Sequence, residues 1–221
     1  MVEEAELPTV TPPERYSPTR SDAVAGIVLA AGTSSRFGDA NKLLAEIDGE
    51  SVITRSVQSL VDSGITPVYV IVGSDRRQVR EAIESREART IVNEAYADGQ
   101  ATSVRTGIES VRRHASVDAA VVSLGDMPFV NPATIDRLVA AYRSNDADIV
   151  VAAYRGQRGN PVLFDASYFG ALSTLSGDTG ARHLVVGSDD AVLVETGDPG
   201  VIRDIDTPTD LNRFARIRSD P

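Results

Sequence analysis

Gly26-Ile27-Val28-Leu29-Ala30-Ala31-Gly32-Thr33-Ser34-Ser35-Arg36-Phe37-Gly38 is the stretch that decides the fold. Its first five residues lack any polar alternation, as expected of a strand buried on both faces. They run directly into small residues, where a chain can bring its amides close to an anion. Outward from this stretch, residues 68–72, 119–124 and 148–152 form apolar runs of the same character. Between the runs lie residues 52–61, 79–85, 101–111 and 132–142, whose apolar positions recur at helical spacing. Strand and helix in alternation predict an α/β fold of three layers, with a mostly parallel sheet covered by helices on both faces. Residues 161–164 and 191–194 read as short strands, and 208–216 as a closing helix. Residues 1–22 carry Pro8, Pro12, Pro13 and Pro18 among polar side chains and are expected to form a mobile extension. That leaves residues 23–221 as a single domain.

Composition narrows the classes of function. At 42% hydrophobic and 24% charged residues, the chain has a globular balance, and it is long enough to bury a full core. With no cysteine, disulfides, thiolate metal sites and cysteine nucleophiles are excluded. No apolar run approaches the roughly 20 residues of a membrane span. The start, Met1-Val2-Glu3-Glu4-Ala5-Glu6, has no apolar segment of the secretory kind, so a cytoplasmic location is expected. A formal net charge of -10 repels phosphate backbones and argues against a nucleic-acid partner. Lysine and arginine total 22, yet Lys42 is the sole lysine, so 22 − 1 = 21 are arginines. An acidic, lysine-poor, cysteine-free chain is expected of a salt-adapted cytoplasm.

In open α/β sheets, ligands gather beyond the carboxyl ends of the strands. The loop after Ala30 offers Gly32, Thr33, Ser34 and Ser35 for backbone contacts, with Arg36 and Lys42 to neutralise a triphosphate. The spacing fits neither the P-loop nor the dinucleotide fingerprint, so neither an ATPase nor an NAD enzyme follows. An ordinary strand-to-helix turn can also be rich in small residues. What favours chemistry here is the one lysine kept among arginines, because a compact ammonium can sit among several phosphate oxygens where a planar guanidinium cannot. At the end of residues 119–124, Gly125-Asp126-Met127-Pro128-Phe129-Val130 puts a carboxylate on the same crevice, with Pro128 fixing the chain's exit. A carboxylate beside a triphosphate calls for an intervening cation, and Mg²⁺ is the usual one. A turn aspartate before proline is the plainer alternative.

Residues 29–38 with Lys42 resemble the signature of nucleotidyltransferases related to the molybdenum cofactor enzymes. Sugar-phosphate and methylerythritol-phosphate nucleotidyltransferases share this loop. Gly125-Asp126-Met127-Pro128-Phe129 is similar to the motif of molybdenum cofactor cytidylyltransferases and unlike the Cys-Asp-x-Pro of guanylyltransferases. Asp204-Ile205-Asp206-Thr207-Pro208-Thr209-Asp210-Leu211 also resembles the family, which implies Asp206 as the second metal carboxylate, with Asp204 in reserve. Read without the resemblance, Thr207, Pro208 and Asp210 are equally good signals of a helix start. Asn93, Gly99, Ser103 and Gly107 recur at family intervals, the last three sharing one helix face. Close helix-to-sheet packing explains such small residues as well as a ligand seat does.

The resemblance covers nearly the whole chain after residue 25 and implies a Rossmann-like nucleotidyltransferase fold. It implies nucleotide contacts from Ala30, Ala31, Gly32, Thr33, Ser34, Ser35, Arg36, Lys42, Asn93, Gly99 and Ser103. Arg36, Lys42 and Asp126 would be the catalytic residues, and Asp126 and Asp206 the ligands of Mg²⁺. Acceptor contacts would come from Asn160, Pro161, Gly177 and Asp178, although relatives often have His where this chain has Asn160. The implied reaction moves a nucleoside monophosphate onto molybdopterin and releases pyrophosphate. CTP is favoured by Ala31 and by the Asp126 motif, with a molybdenum hydroxylase as client for the product. GTP as donor, a sugar phosphate as acceptor, and a non-catalytic cofactor carrier are the alternatives. His114 and His183 lack partners at metal-ligand spacing and are expected to be structural.

Overall fold

The computed structural model describes residues 7–11, 23–38, 40–144, 147–177 and 180–217. Its strands are β1 (Thr9–Val10), β2 (Val24–Ala30), β3 (Glu46–Ile47), β4 (Glu50–Ser51), β5 (Val68–Val72), β6 (Arg89–Val92), β7 (Ala119–Leu124), β8 (Ile149–Tyr154), β9 (Gln157–Asp165) and β10 (Ala191–Glu195). The helices are α1 (Val52–Asp62), α2 (Arg76–Ala82), α3 (Gln100–His114), α4 (Pro132–Ser144), α5 (Phe169–Leu172), α6 (Arg182–Val186) and α7 (Pro208–Ile217). Eight strands form one sheet in the order β1-β10-β8-β9-β7-β2-β5-β6, and β3 and β4 make a separate small hairpin. Every pairing in the large sheet is parallel except those of β9, which runs antiparallel to both β7 and β8.

The three layers follow from the two-residue period of the strands. In β2 and β5, Val24, Val28, Val68, Val70 and Val72 face one side and pack with α1, α2 and α4. Ala25, Ile27, Tyr69 and Ile71 face the other side and pack with α3, α5 and α6. Both faces are covered, which is why β5 is buried along its whole length. α1 begins where the sequence reading places it, because Ser51 Oγ accepts the Thr54 amide at 3.3 Å.

The departures from the sequence expectation lie in α2, which spans Arg76–Ala82 where the periodicity predicts 79–85, at the sheet edges and in β9. Part of residues 1–22, expected outside the fold, joins the sheet: Thr9 and Val10 pair with Leu193 and Val194. The Leu193 amide also donates to the Pro8 carbonyl at 2.8 Å. β10 would otherwise present unpaired backbone groups on that edge, and two residues are enough to meet them without an apolar run. β6 escapes a pattern search for a related reason, since as the opposite edge strand it carries only partly buried and exposed residues. β9 extends well beyond residues 161–164 because it forms a hairpin with β8. Arg155 and Gly156, at φ of 52° and 75°, make its two-residue turn, and the Glu195 carboxylate accepts both of their amides.

For the site, the register of the central pair matters most. Leu29 of β2 lies opposite Leu124 of β7, so the loops after Ala30 and Leu124 leave the sheet side by side. Among the described residues, no helix is long and apolar enough to cross a membrane.

Candidate active site

Two small-residue segments set the geometry at the strand ends. After β2 the chain passes through Ala31, Gly32 and Thr33 to Ser34, which has a left-handed backbone at φ 54°. A short turn, Ser35–Phe37, follows and ends at Gly38, whose φ of 84° suits glycine. Asn41 then starts a second turn, Lys42–Leu44, by accepting the Leu43 amide on Oδ1 at 2.9 Å. The same oxygen accepts the Ser34 hydroxyl, while Asn41 Nδ2 donates to Asp75 Oδ2 at 2.9 Å. Ser34 Oγ in turn accepts the Lys42 amide at 3.2 Å. The two limbs of the loop are therefore clasped together, and Lys42 is presented from a fixed main chain.

After β7, the Gly125 amide donates to the Leu29 carbonyl at 2.9 Å, holding Asp126 beside the first loop. A Cβ on Gly125 would come to 3.0 Å from that carbonyl and from Ile53 Cδ1, so the close approach favours glycine. The third segment arrives from far along the chain. A Cβ on Gly159 would collide with the Val201 carbonyl, and one on Gly200 with the Phe129 carbonyl. These two glycines let the turn Pro199–Ile202 lie against β9 and the Asp126 loop. The Ile205 amide then donates to the Asp126 carbonyl at 2.8 Å, which brings Asp206 alongside.

At the meeting point, Lys42 Nζ donates to Asp126 Oδ2 at 2.6 Å and to Asp206 Oδ1 at 2.8 Å. Arg36, on a largely exposed side chain, pairs with the other Asp206 oxygen at 2.5 Å. Burial works to lower the Lys42 pKa, but the charge and hydrogen bonds of Asp126 and then Asp206 outweigh it and raise the ammonium above its ordinary value. Asp126 Oδ1 is buried and has no hydrogen-bond partner among the described residues. Asp204 makes neither of these ion pairs. Its carboxyl is pushed up by desolvation and by the charges of Asp126 and Asp206. Asp206 thus meets the cluster while the next residues serve the helix. Asp210 Oδ2 accepts the Thr207 amide and hydroxyl at 2.8 and 2.7 Å, and Thr207 Oγ1 accepts the Asp210 amide at 3.2 Å. Thr207 and Asp210 thus start the helix, while Asp206, one residue earlier, turns to Lys42.

Lys42 and Asp126 stand at the wall of a cavity of about 340 Å³, formed also by Ala30, Ala31, Gly32, Thr33, Ser34, Gly99 and Ser103. A second cavity of about 320 Å³ adjoins it, and Leu29, Gln100 and Leu124 line both. The second has an apolar wall including Val162 and Phe164, with Gln100, Arg158, Asn160 and Arg182 as its polar side chains.

Some expected contacts are placed elsewhere. Neither Ser35 nor Arg36 lines the first cavity, although Arg36 reaches the carboxylate pair. Asn93 is buried behind the wall, where Nδ2 donates to Thr102 Oγ1 at 2.8 Å and Ser103 Oγ at 3.0 Å. It fixes the start of α3 and so positions Ser103. Gly107 serves packing, because a Cβ there would come 2.6 Å from Ile27 Cγ2. Pro161 lines neither cavity, and the Gly177 carbonyl accepts the Ala101 amide at 3.2 Å. Asp178 lies outside the described residues. The sequence reading passed over Gln100, Tyr96 and Ala97 in the walls, and Asn41 as the anchor of Lys42. An asparagine just before a turn was the available signal for Asn41; nothing in the local pattern marked Tyr96.

The fold is that of a nucleotidyltransferase. Residues 26–192 match the MobA-like NTP transferase domain, and the chain belongs to that family. It is 27% identical over 200 residues to nicotine blue oxidoreductase of Paenarthrobacter nicotinovorans, covering 86% of this chain and 96% of that protein. It is 27% identical over 210 residues to the purine catabolism protein PucB of Bacillus subtilis, covering 90% and 100%. A probable molybdenum cofactor guanylyltransferase of Natronomonas pharaonis is 26% identical over 201 residues, covering 85% and 95%. Among solved structures, Rv0371c of Mycobacterium tuberculosis superposes with a TM-score of 0.77 at 29% identity, over 89% of this chain and 100% of that one. The manganese complex of Rv0371c superposes with a TM-score of 0.74 at 28% identity, over 88% and 98%.

Proposed function

We propose that this chain transfers the nucleoside monophosphate of CTP to the phosphate of molybdopterin, releasing pyrophosphate. The observation that carries the reading is the Lys42 ammonium between Asp126 and Asp206, at the wall of one cavity that adjoins another. The nucleotide is assigned to the first cavity and the acceptor to the second. Amides of residues 31–34 and the first turn of α3, which follows Gly99, face the triphosphate, and Lys42 and Arg36 neutralise it. Among the described residues a Cβ on Gly32 would meet no atom within 4 Å, which leaves room for a ligand to approach the backbone there. Arg158, Arg182 and Asn160 take the acceptor's polar groups, and the apolar wall takes its ring system.

A divalent cation fits this site. Asp126 Oδ1 is a buried oxygen lacking a hydrogen-bond partner, and Asp206 places a second carboxylate beside it. Among the described residues no group of three or more acidic or histidine side chains is set to hold an ion. The protein would thus supply two carboxylates and leave the remaining positions to phosphate and water oxygens, as Mg²⁺ prefers. When bound, the ion supplies positive charge to the α-phosphate and the departing pyrophosphate. The acceptor phosphate is already an anion at neutral pH, so no protein group has to remove a proton. One of its oxygens bonds to the α-phosphorus while the bond from that phosphorus to the pyrophosphate oxygen breaks. Alignment and charge neutralisation are the work left to the protein.

Ala31 and the Gly125-Asp126-Met127-Pro128-Phe129 motif support cytosine as the base. The relatives described as molybdenum cofactor guanylyltransferases support GTP as a second reading. Pyrophosphate release in high KCl with Mg²⁺ and molybdenum-loaded molybdopterin, compared across CTP, GTP, ATP and UTP, tests both. Preferential use of CTP is expected. Preferential use of GTP would keep the reaction and change the base, and no release with any nucleotide from folded protein would overturn the reading.

A further inference from the structure

The carboxylate pair assigned to the metal already holds a cation of its own. Of its four oxygens, Asp126 Oδ2 and Asp206 Oδ1 accept from Lys42 Nζ and Asp206 Oδ2 pairs with Arg36, so among the described residues only Asp126 Oδ1 lacks a partner. A divalent ion arriving alone would meet one available oxygen and two positive side chains within a few ångströms. It would have to displace the ammonium or accept its repulsion. A triphosphate changes this balance, since it brings several oxygens to the wall shared by Lys42, Asp126 and residues 31–34.

Lys42 is mounted to make that exchange with its side chain alone. Its amide is held by Ser34 Oγ, its carbonyl accepts the Ala45 amide at 3.3 Å, and Asn41 caps its turn. What remains free to turn is a flexible four-carbon stem ending in a point charge. An arginine would be retained by its bidentate match to carboxylate. That accounts for a lysine here in a chain that uses arginine at its other 21 basic positions.

We propose that Lys42 is a guard cation. It occupies the Asp126–Asp206 pair until a triphosphate draws it away, so that metal and nucleotide load together and metal alone is turned back. The inference rests on the reading of Asp126 and Asp206 as the metal carboxylates. By linkage, nucleotide then raises metal affinity by the same factor as metal raises nucleotide affinity.

The test is Mn²⁺ binding to the full chain without nucleotide or acceptor, followed by the electron paramagnetic resonance of free Mn²⁺. Lys42→Met is expected to bind Mn²⁺ at least ~10-fold more tightly than wild type, within the usual span of such couplings. Adding Asp126→Asn to that variant is expected to abolish the gain. Equal affinity of Lys42→Met and wild type, with both sensitive to Asp126→Asn, overturns the guard role and leaves the carboxylate assignment intact. Binding to Lys42→Met that ignores Asp126→Asn overturns both. Should Lys42→Met fail to fold, wild-type protein labelled with ¹⁵Nζ-lysine answers the same question, because one lysine gives one side-chain ammonium signal. That signal is expected to stay in place with millimolar Mg²⁺ and to move when CTP or GTP is added with it. Movement with Mg²⁺ alone overturns the proposal.

Discussion

Lys42 and Gly32 show how differently two residues of one loop can be constrained. Lys42 is bound on all sides: its main chain is clasped through Ser34 and Asn41, and its ammonium is shared by Asp126 and Asp206. Its pKa is raised by those carboxylates against the pull of burial, so it stays charged across the neutral range. Replacing it with alanine is expected to slow turnover ~10²-fold, the usual cost of one lost charge-stabilising donor. Steady-state pyrophosphate release checks this, and an unchanged rate would remove the role. Gly32 meets no such constraint among the described residues, since a Cβ there meets open space. Gly32→Ala is therefore expected to leave the melting temperature unchanged or slightly raised, by ~0.4–1 kcal/mol of unfolded-chain entropy. The same substitution is expected to weaken nucleotide binding, measured by titration calorimetry. Full nucleotide affinity in Gly32→Ala would place the phosphates away from this loop.

At the scale of elements, α7 tests how far its start is tied to the site. Asp210 accepts from Thr207 in a reciprocal cap one residue beyond Asp206, and its carboxyl is held below the usual range chiefly by the Thr207 hydroxyl. Asp210→Ala is expected to cost about 1 kcal/mol at neutral pH, because it removes the third-residue partner of the Thr207 N-cap. A depressed folded pKa contributes stability above the unfolded pKa and loses it as pH falls through the folded value. The difference between wild type and variant should then close in acid, and denaturant melts at descending pH will show whether it does. Elements of this kind also decide what could be read from the chain alone. β2, β5 and β7 were legible because each is a buried apolar run, and α7 because Thr207 and Pro208 mark its start. β1 and β6 were not, because edge strands pair through backbone groups that any side chain permits. Asp126 was legible from its strand end. Its approach to Asp206, 80 residues later, depends on Gly159 and Gly200 allowing backbones to cross, which no local pattern encodes. For Asn93 the resemblance implies a contact, but a family motif marks nearness to the site and not which side of the wall a residue occupies.

For the whole molecule, a net charge of -10 sets the conditions under which these contacts operate. Self-repulsion at this density is screened over about 3 Å in molar salt, against about 10 Å at 0.1 M. The chain is expected to unfold in dilute buffer and hold its fold in molar KCl, with a melting temperature that climbs with KCl. A melt indifferent to salt would remove the adaptation reading. The shared wall of the two cavities has a consequence for kinetics. On the proposed reaction each substrate enters one cavity, but the product is their covalent union, lying across Leu29, Gln100 and Leu124 with a half in each. When either half lets go, the other keeps it at high local concentration, so the joined molecule dwells longer than its parts did. Bond making then outruns departure, and the first turnover should appear as a burst of about one pyrophosphate per chain before a slower steady rate.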